Sequence, residues 1–249
     1  MSKNALFVSH LGIGDMVVMS GAVRYLSLKY HKIYVVCKDI YYNNMKMMYQ
    51  DNNNIELMNI DSKNEKESLW KLIQDCEKQE YDIHLSGIHK NKSFHSNDIH
   101  KSFYNDLNLD ISIMKDYFSI AFNIESINLY KLLEKNMKYV FIHSQSSNKE
   151  ISIDIQNFKD QNILIINPNK NMYNINDNFF VLANKFINKP LFLYTDVIQH
   201  ASELHVVDSS FSCIAALMKN FNSSQKKYLY TRQKHSRYNS LFDHTWTYI

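Results

Sequence analysis

Proline occurs twice and glycine four times in 249 residues. With so little of either, turns must be built by other means, and the abundant asparagine tolerates the left-handed backbone angles that turns need. Two of the four glycines, Gly12 and Gly14, nevertheless stand within three residues of each other, so that place makes a local demand on the backbone. Arginine is scarce as well: Arg24, Arg232 and Arg237 are the only ones among 28 basic residues. A net charge of +3 carried mostly by lysine argues against nucleic acid as a partner, since base and phosphate recognition favours arginine forks. Cys37, Cys76 and Cys213 are odd in number, far apart and without a C-x-x-C pair, which reads as three buried thiols in a reducing compartment. No apolar run approaches the roughly 20 residues of a membrane span, and the opening "MSKNALFVSHLGIGD" is too short and too interrupted for a signal peptide. The expectation is a cytoplasmic protein without a transmembrane segment.

What is present is alternation. Short apolar runs rich in β-branched residues are predicted as strands over 5–9, 33–37, 55–60 and 81–86. Between them, apolar residues recur at spacings of three and four, as at Met16, Met19, Val23, Leu26 and Tyr30, which predicts helices. A polar stretch over 87–116 interrupts the pattern with a helix near 99–107, and a helix over 125–136 bridges two halves. The alternation then restarts. Strands are predicted over 138–144, 162–167, 190–194, 204–209 and 227–231, and helices over 177–187, 196–203 and 211–220. This order gives an α/β fold of two Rossmann-like parallel-sheet lobes, residues 1–130 and 131–249.

The stretch "LGIGDMVV" over 11–18 joins the first strand to the first helix, an arrangement that aims backbone N–H groups at an anion. Gly12 and Gly14 begin a dinucleotide fingerprint, but Val17 stands at its third glycine, and the nearest acidic residue for a ribose, Asp39, is late. No G-K-[ST] follows, which excludes a P-loop. Asp15 carries two readings. It can be a helix N-cap or a carboxylate favoured by the helix dipole. It can also be a general base for a sugar hydroxyl, a role that suits a carboxylate here better than cradling a phosphate does.

"LGIGDMVVMSGAVRYL" resembles the opening of the heptosyltransferase-like (family 9-like) glycosyltransferases, in which a glycine–aspartate pair after the first strand precedes a helix ending in an arginine and a leucine. Gly14, Asp15, Val17, Ser20, Ala22, Arg24 and Leu26 fall in register, Gly21 replaces the usual proline, and the Gly12–Ile13 pair is extra to the pattern. "ASELHVVDSSFSCIAALM" over 201–218 is similar to a late signature of the same family. There Asp208 and Ser209 match, Ser210 stands where glycine is usual, and Cys213 where histidine is usual. "YVFIHSQSS" over 139–147 resembles the strand that opens the family's second half.

The resemblance implies a GT-B architecture with a cleft between the lobes. It implies an inverting sugar transfer from a nucleotide-sugar to a hydroxyl such as a glycan acceptor, with Asp15 as catalytic base. It places the donor on Ser144, Ser146, Ser147, Lys149, Asp208, Ser209 and Ser210, with Lys149 or Lys170 supplying positive charge. His10, Gly12, Gly14 and His89 are the acceptor-side loop. GT-B enzymes generally work without a metal, and no D-x-D triplet follows a strand, so no metal or cofactor is expected. Two alternatives stay open: a degenerate relative that binds nucleotide or glycan without turnover, and a Rossmann-type nucleotide-binding enzyme of another class.

Other clusters carry less. His84, His89, His95 and His100, with Asp98 nearby, crowd one segment, but their spacings match no metal-binding pattern and read as a polar loop or helix. The basic and aromatic alternation over 226–242 reads as a solvated terminal strand and helix. Trp70 and Trp246 read as core or interface anchors.

Overall fold

A computed structural model describes residues 3–87, 98–134, 137–146, 150–219, 221, 224–231 and 240–249. They form two compact units. The first comprises the chain up to Phe122 together with Ser240 and Leu241, and the second runs from Asn123 and includes Phe242–Ile249.

The first unit contains β1 (Asn4–Val8), α1 (Ile13–Ser27), β2 (Lys32–Lys38), α2 (Tyr42–Tyr49), β3 (Ile55–Ile60), α3 (Glu65–Lys78), β4 (Asp82–Leu85), α4 (Ile99–Asp106) and α5 (Ile113–Asp116). Its four strands lie in the order β3-β2-β1-β4, and every pairing is parallel. Ala5 to Val8 are all buried, as befits a strand covered on both faces, which is why β1 reads as a continuous apolar run rather than an alternation. Leu69, Ile73 and Cys76 of α3 cover one face of the sheet over Leu6, Val8 and Val36. Arg24, near the end of α1, forks onto Asp51 with Nη2 2.9 Å and Nη1 3.2 Å from its oxygens. The same guanidinium donates to the carbonyls of Met48 (2.8 Å) and Ser119 (3.0 Å). At Gly21 a Cβ would meet the Ile113 carbonyl oxygen at 2.5 Å, so the residue that replaces the proline lets α5 approach α1 backbone to backbone.

The second unit contains α6 (Ile124–Tyr130), β5 (Tyr139–His143), α7 (Gln156–Asp160), β6 (Leu164–Ile166), α8 (Phe180–Asn184), α9 (Thr195–His200), β7 (Glu203–Val207), α10 (Ser210–Leu217), β8 (Lys226–Tyr230) and β9 (Trp246–Tyr248). Five parallel strands take the order β6-β5-β7-β8-β9. Val140, Ile142, Ile163 and Ile165 pack with Phe158 of α7 in its core.

Several expectations change. Residues 191–194 form a 3-10 turn, not a strand. Pro190 lacks a ladder donor, its carbonyl takes the Leu193 N–H at 3.0 Å, and all four side chains are buried, so a short apolar run here serves a buried turn. The helix over 177–187 shrinks to α8, because Asp177 closes turns at its start with Asn174 and Phe180. α6 ends at Tyr130, and its Ser126 hydroxyl bonds Thr195 (2.8 Å) and Asp196 (2.5 Å) on α9. The chain changes unit at residues 122–123. β9 is an additional strand beyond 227–231. Trp246 within it is buried, whereas Trp70 is 38% exposed. Among the described residues no helix is long and apolar enough to cross a membrane.

Candidate functional site

In an open parallel sheet, ligands gather outside the carboxyl ends of the strands where the strand order reverses. In the first sheet that point lies between β1 and β4, and in the second between β5 and β7. The loop leaving β1 leads into the first turn of α1, which carries Asp15, and the loop leaving β7 carries Ser209, so each falls at the reversal of its own sheet.

The β1–α1 turn is built by alternation of burial. Leu11 drops into the core with Leu6 and Ile60, and this turns its neighbour His10 outward. α1 is capped by Gly12, whose backbone is extended (φ −77°, ψ 138°), and Gly14 and Asp15 are its second and third residues, both half-buried. Asp15 is thus not the N-cap. Its carboxylate lies 2.7 Å from His10 Nδ1. A Cβ on Gly12 would come within 2.8 Å of Asp15 Oδ2 and 3.6 Å of His10 Nδ1, so a side chain here would press on the Asp15 carboxylate and make it shift. The hydrogen bond to Asp15 raises the His10 pKa above its ordinary 6.5 against partial burial, and Lys38 opposes while Glu65 assists. The His10 ring lies parallel to Phe103 of α4 at 6.4 Å. Across the reversal, Gly87 after β4 adopts φ +69°, and a Cβ there would strike Phe103 at 2.7 Å and approach His10 Cβ at 3.3 Å.

In the second unit β5 ends on His143, whose Nδ1 is 3.0 Å from Ser209 Oγ. Ser209 caps α10, and its N–H donates to Ser212 Oγ at 3.0 Å. Burial pushes His143 down to about 4, so a neutral imidazole fixes the Ser209 hydroxyl at the start of α10. Ser210 is the first residue of that helix, and Asp208 and Ser210 are half-buried beside it. Ser144 is buried, and its carbonyl takes the Ile151 N–H at 2.8 Å. Ser146 follows on the same loop, half-buried. Lys170, in the loop after β6, is ion-paired with Glu150.

The donor-side candidates Ser144, Ser146, Asp208, Ser209 and Ser210 thus gather on the two loops beside the β5–β7 reversal, and the acceptor-side candidates His10, Gly12 and Gly14 gather around Asp15. Ser147, Lys149, His89 and His95 lie outside the described residues. His84 sits on β4, bonded to Tyr30 Oη at 2.9 Å with its pKa lowered by burial. His100 is buried in the first turn of α4, which Asp98 caps. Two features escaped the sequence reading: the pairing of His10 with Asp15, five residues apart across a turn, and the buried His143. The single signal for either was a histidine at a strand's end next to a polar turn.

No family model matches the chain, and no curated protein matches it in sequence. Solved structures do match in fold. The iron-containing dodecameric glycosyltransferase TibC from enterotoxigenic E. coli superposes with a TM-score of 0.61 at 14% identity, over 99% of this chain and 63% of TibC. E. coli ADP-heptose lipopolysaccharide heptosyltransferase II gives 0.59 at 13%, over 99% of this chain and 90% of that one. A family 9 glycosyl transferase from Veillonella parvula gives 0.63 at 10%, over 99% and 85%. The chain spans about two thirds of TibC and most of the other two. One expectation is corrected by this comparison. Because TibC is described as iron-containing, freedom from metal does not come with the fold. Among the described residues no group of three or more His, Cys, Asp or Glu side chains could hold a metal ion, and those residues do not fit iron. The likeness announced by the glycine–aspartate turn and the late Asp–Ser turn is real at the level of architecture: this chain has the two-sheet α/β fold of the heptosyltransferases and family 9 glycosyltransferases.

Proposed function

We propose that the protein is a glycosyltransferase that moves a sugar, with inversion, from a nucleoside-diphosphate sugar to a hydroxyl of a glycan or similar acceptor. The reading takes the two units as the halves of a GT-B enzyme, the first serving the acceptor and the second the donor. The observation that carries it is the carboxylate-bearing β1–α1 turn at the strand-order reversal of the first sheet. It is supported by the serine-lined turn at the corresponding place in the second sheet and by the fold. That TibC has been captured with ADP-D-β-D-heptose supports a nucleotide-sugar as the donor class. Asp15, with the His10 it holds, is the basic centre that receives the acceptor proton as the hydroxyl oxygen attacks the anomeric carbon. The start of α10, with the Ser209 hydroxyl and the helix N–H groups, offsets the charge growing on the departing diphosphate. Three buried thiols fit a cytoplasmic setting.

A binding protein without turnover is the second reading. It draws on Cys213, buried in α10 where the resemblance has histidine.

The test is a thermal-shift screen of nucleoside diphosphates and their sugars against NAD(P), followed by a transfer assay. Wild type and Asp15→Asn are both expected to be stabilised by one nucleoside diphosphate and not by NAD(P). Asp15→Asn is expected to lose about 10²–10⁴-fold in transfer. Full turnover by Asp15→Asn removes this residue from the chemistry. Nucleotide stabilisation of a wild type that turns over no donor favours the binding protein.

A further inference from the structure

Resting on the glycosyltransferase reading, we infer that His10 is the group that touches the acceptor and takes its proton, with Asp15 acting through it as a positioning residue. The inference starts from which of the two side chains is presented. His10 is 56% exposed and Asp15 26%. The Asp15 carboxylate is turned back onto the imidazole at 2.7 Å, on the side where Gly12 carries no Cβ to displace it.

A carboxylate accepts hydrogen bonds and does not donate them, so Nδ1 of His10 carries the hydrogen in this contact. That fixes the tautomer in which Nε2 of the neutral ring bears the lone pair. Orienting an imidazole base through its other nitrogen is the role a buried aspartate plays in hydrolytic triads. The ring is held flat beside Phe103, so its plane is set from one side by α4 and its edge from the other by α1.

In the reaction the acceptor oxygen forms its bond to the anomeric carbon while the bond from that carbon to the donor phosphate oxygen breaks. The nucleoside diphosphate leaves with the electron pair. The hydroxyl proton passes to Nε2 of His10, and the resulting imidazolium is stabilised by Asp15 and later loses the proton to water. Among the described residues the charged groups facing His10 are Asp15 on α1, Lys38 at the end of β2 and Glu65 at the start of α3. Lys38 and Glu65 pair with each other at 2.5 Å, which mutes their separate fields. From α4 the facing residue is the uncharged Phe103. The direct bond from Asp15 therefore sets the direction, and the His10 pKa lies above 6.5.

The experiment is the pH profile of kcat/KM for sugar transfer by wild type, His10→Gln, His10→Ala and Asp15→Asn, each with its nucleotide-induced thermal shift as a check on folding and donor binding. Wild-type kcat/KM is expected to rise with pH through an inflection above 6.5 and then level off. His10→Gln and His10→Ala are expected to keep the nucleotide shift, lose about 10²–10⁴-fold in rate and lose that inflection. In Asp15→Asn the residual activity is expected to keep an inflection displaced downward, toward the ordinary histidine value, which loss of a merely structural contact would not do. Turnover by His10→Gln at the wild-type rate with the wild-type profile overturns the inference and leaves the transferase reading standing with Asp15 as direct base. Failure of the wild type to transfer from any nucleotide-sugar overturns both.

Discussion

At the scale of single residues, the histidines of this protein titrate in opposite directions for reasons visible around each ring. His10 gains a carboxylate and rises, whereas His143 and His205 are buried and fall, His143 to about 4. A buried neutral histidine costs stability when the unfolded chain can take a proton that the folded one cannot. Between pH 6.5 and 4 the unfolded state binds the proton and folded His143 does not, so its contribution is fully present above 6.5 and is lost as the pH falls toward 4. His205, stacked on Tyr228 with Tyr230 Oη at 2.9 Å and Glu203 at 3.2 Å, adds to the same slope. His10 opposes it, since a raised pKa gives stability that is present below 6.5 and lost above its folded value. The net expectation is a loss of about 2–3 kcal/mol between pH 7 and 4 from His143, measured by urea unfolding across that range. His143→Asn keeps a hydrogen-bonding group near Ser209 but cannot take up a proton, and should flatten the fall. Equal slopes in the two proteins would show that His143 does not drive it.

At the scale of elements, α1 is positioned twice. Its first turn is placed by the Leu11 anchor and its last by Arg24, which ties it to Asp51, to the carbonyl of Met48 on α2 and to that of Ser119. Arg24 is only 10% exposed, so removing the guanidinium strips two carbonyls and a carboxylate of partners in a partly desolvated place. Arg24→Ala is expected to cost about 2–4 kcal/mol, read from denaturant midpoints, and Arg24→Lys to recover only part, because an ammonium cannot fork. A midpoint within experimental error of wild type for Arg24→Ala would show that α1 is held by its apolar face alone. The sequence displayed Arg24 as one letter of a motif. Its purpose, gathering the 48–51 stretch and the segment of Ser119 onto one side chain, follows only from their packing. The same holds at Gly21, where the close approach of α5 is set by residues more than 90 positions away.

At the scale of the whole molecule, the last ten residues serve both units. Ser240 donates its N–H and hydroxyl to Asp98 at 2.7 and 2.8 Å in the first unit. β9 closes the edge of the second sheet against β8, with Phe242 and Trp246 buried edge to face, 5.0 Å apart. Ending the chain at residue 239 should therefore lower the unfolding midpoint much more than Ser240→Ala, which removes one hydroxyl bond worth about 1 kcal/mol. The truncated chain also exposes two large aromatic rings and loses a strand. Equal midpoints for the truncated and full-length proteins would mean that β9 contributes nothing to the second sheet. This strand was not legible in advance: a three-residue strand in a polar, aromatic tail has too short a pattern to separate from a loop, and its pairing is a property of β8.

The sequence by itself determined the alternation of strands and helices, the parallel sheets that follow from it, and the place of the two turns that matter, because those features rest on local periodicity and on glycine, aspartate and serine where a strand meets a helix. It did not determine that 191–194 turns rather than extends, that His10 reaches Asp15, or that His143 stands behind Ser209. Those contacts depend on which neighbouring strand lies beside which, and the order of strands in a sheet is decided only when the helices have packed across it.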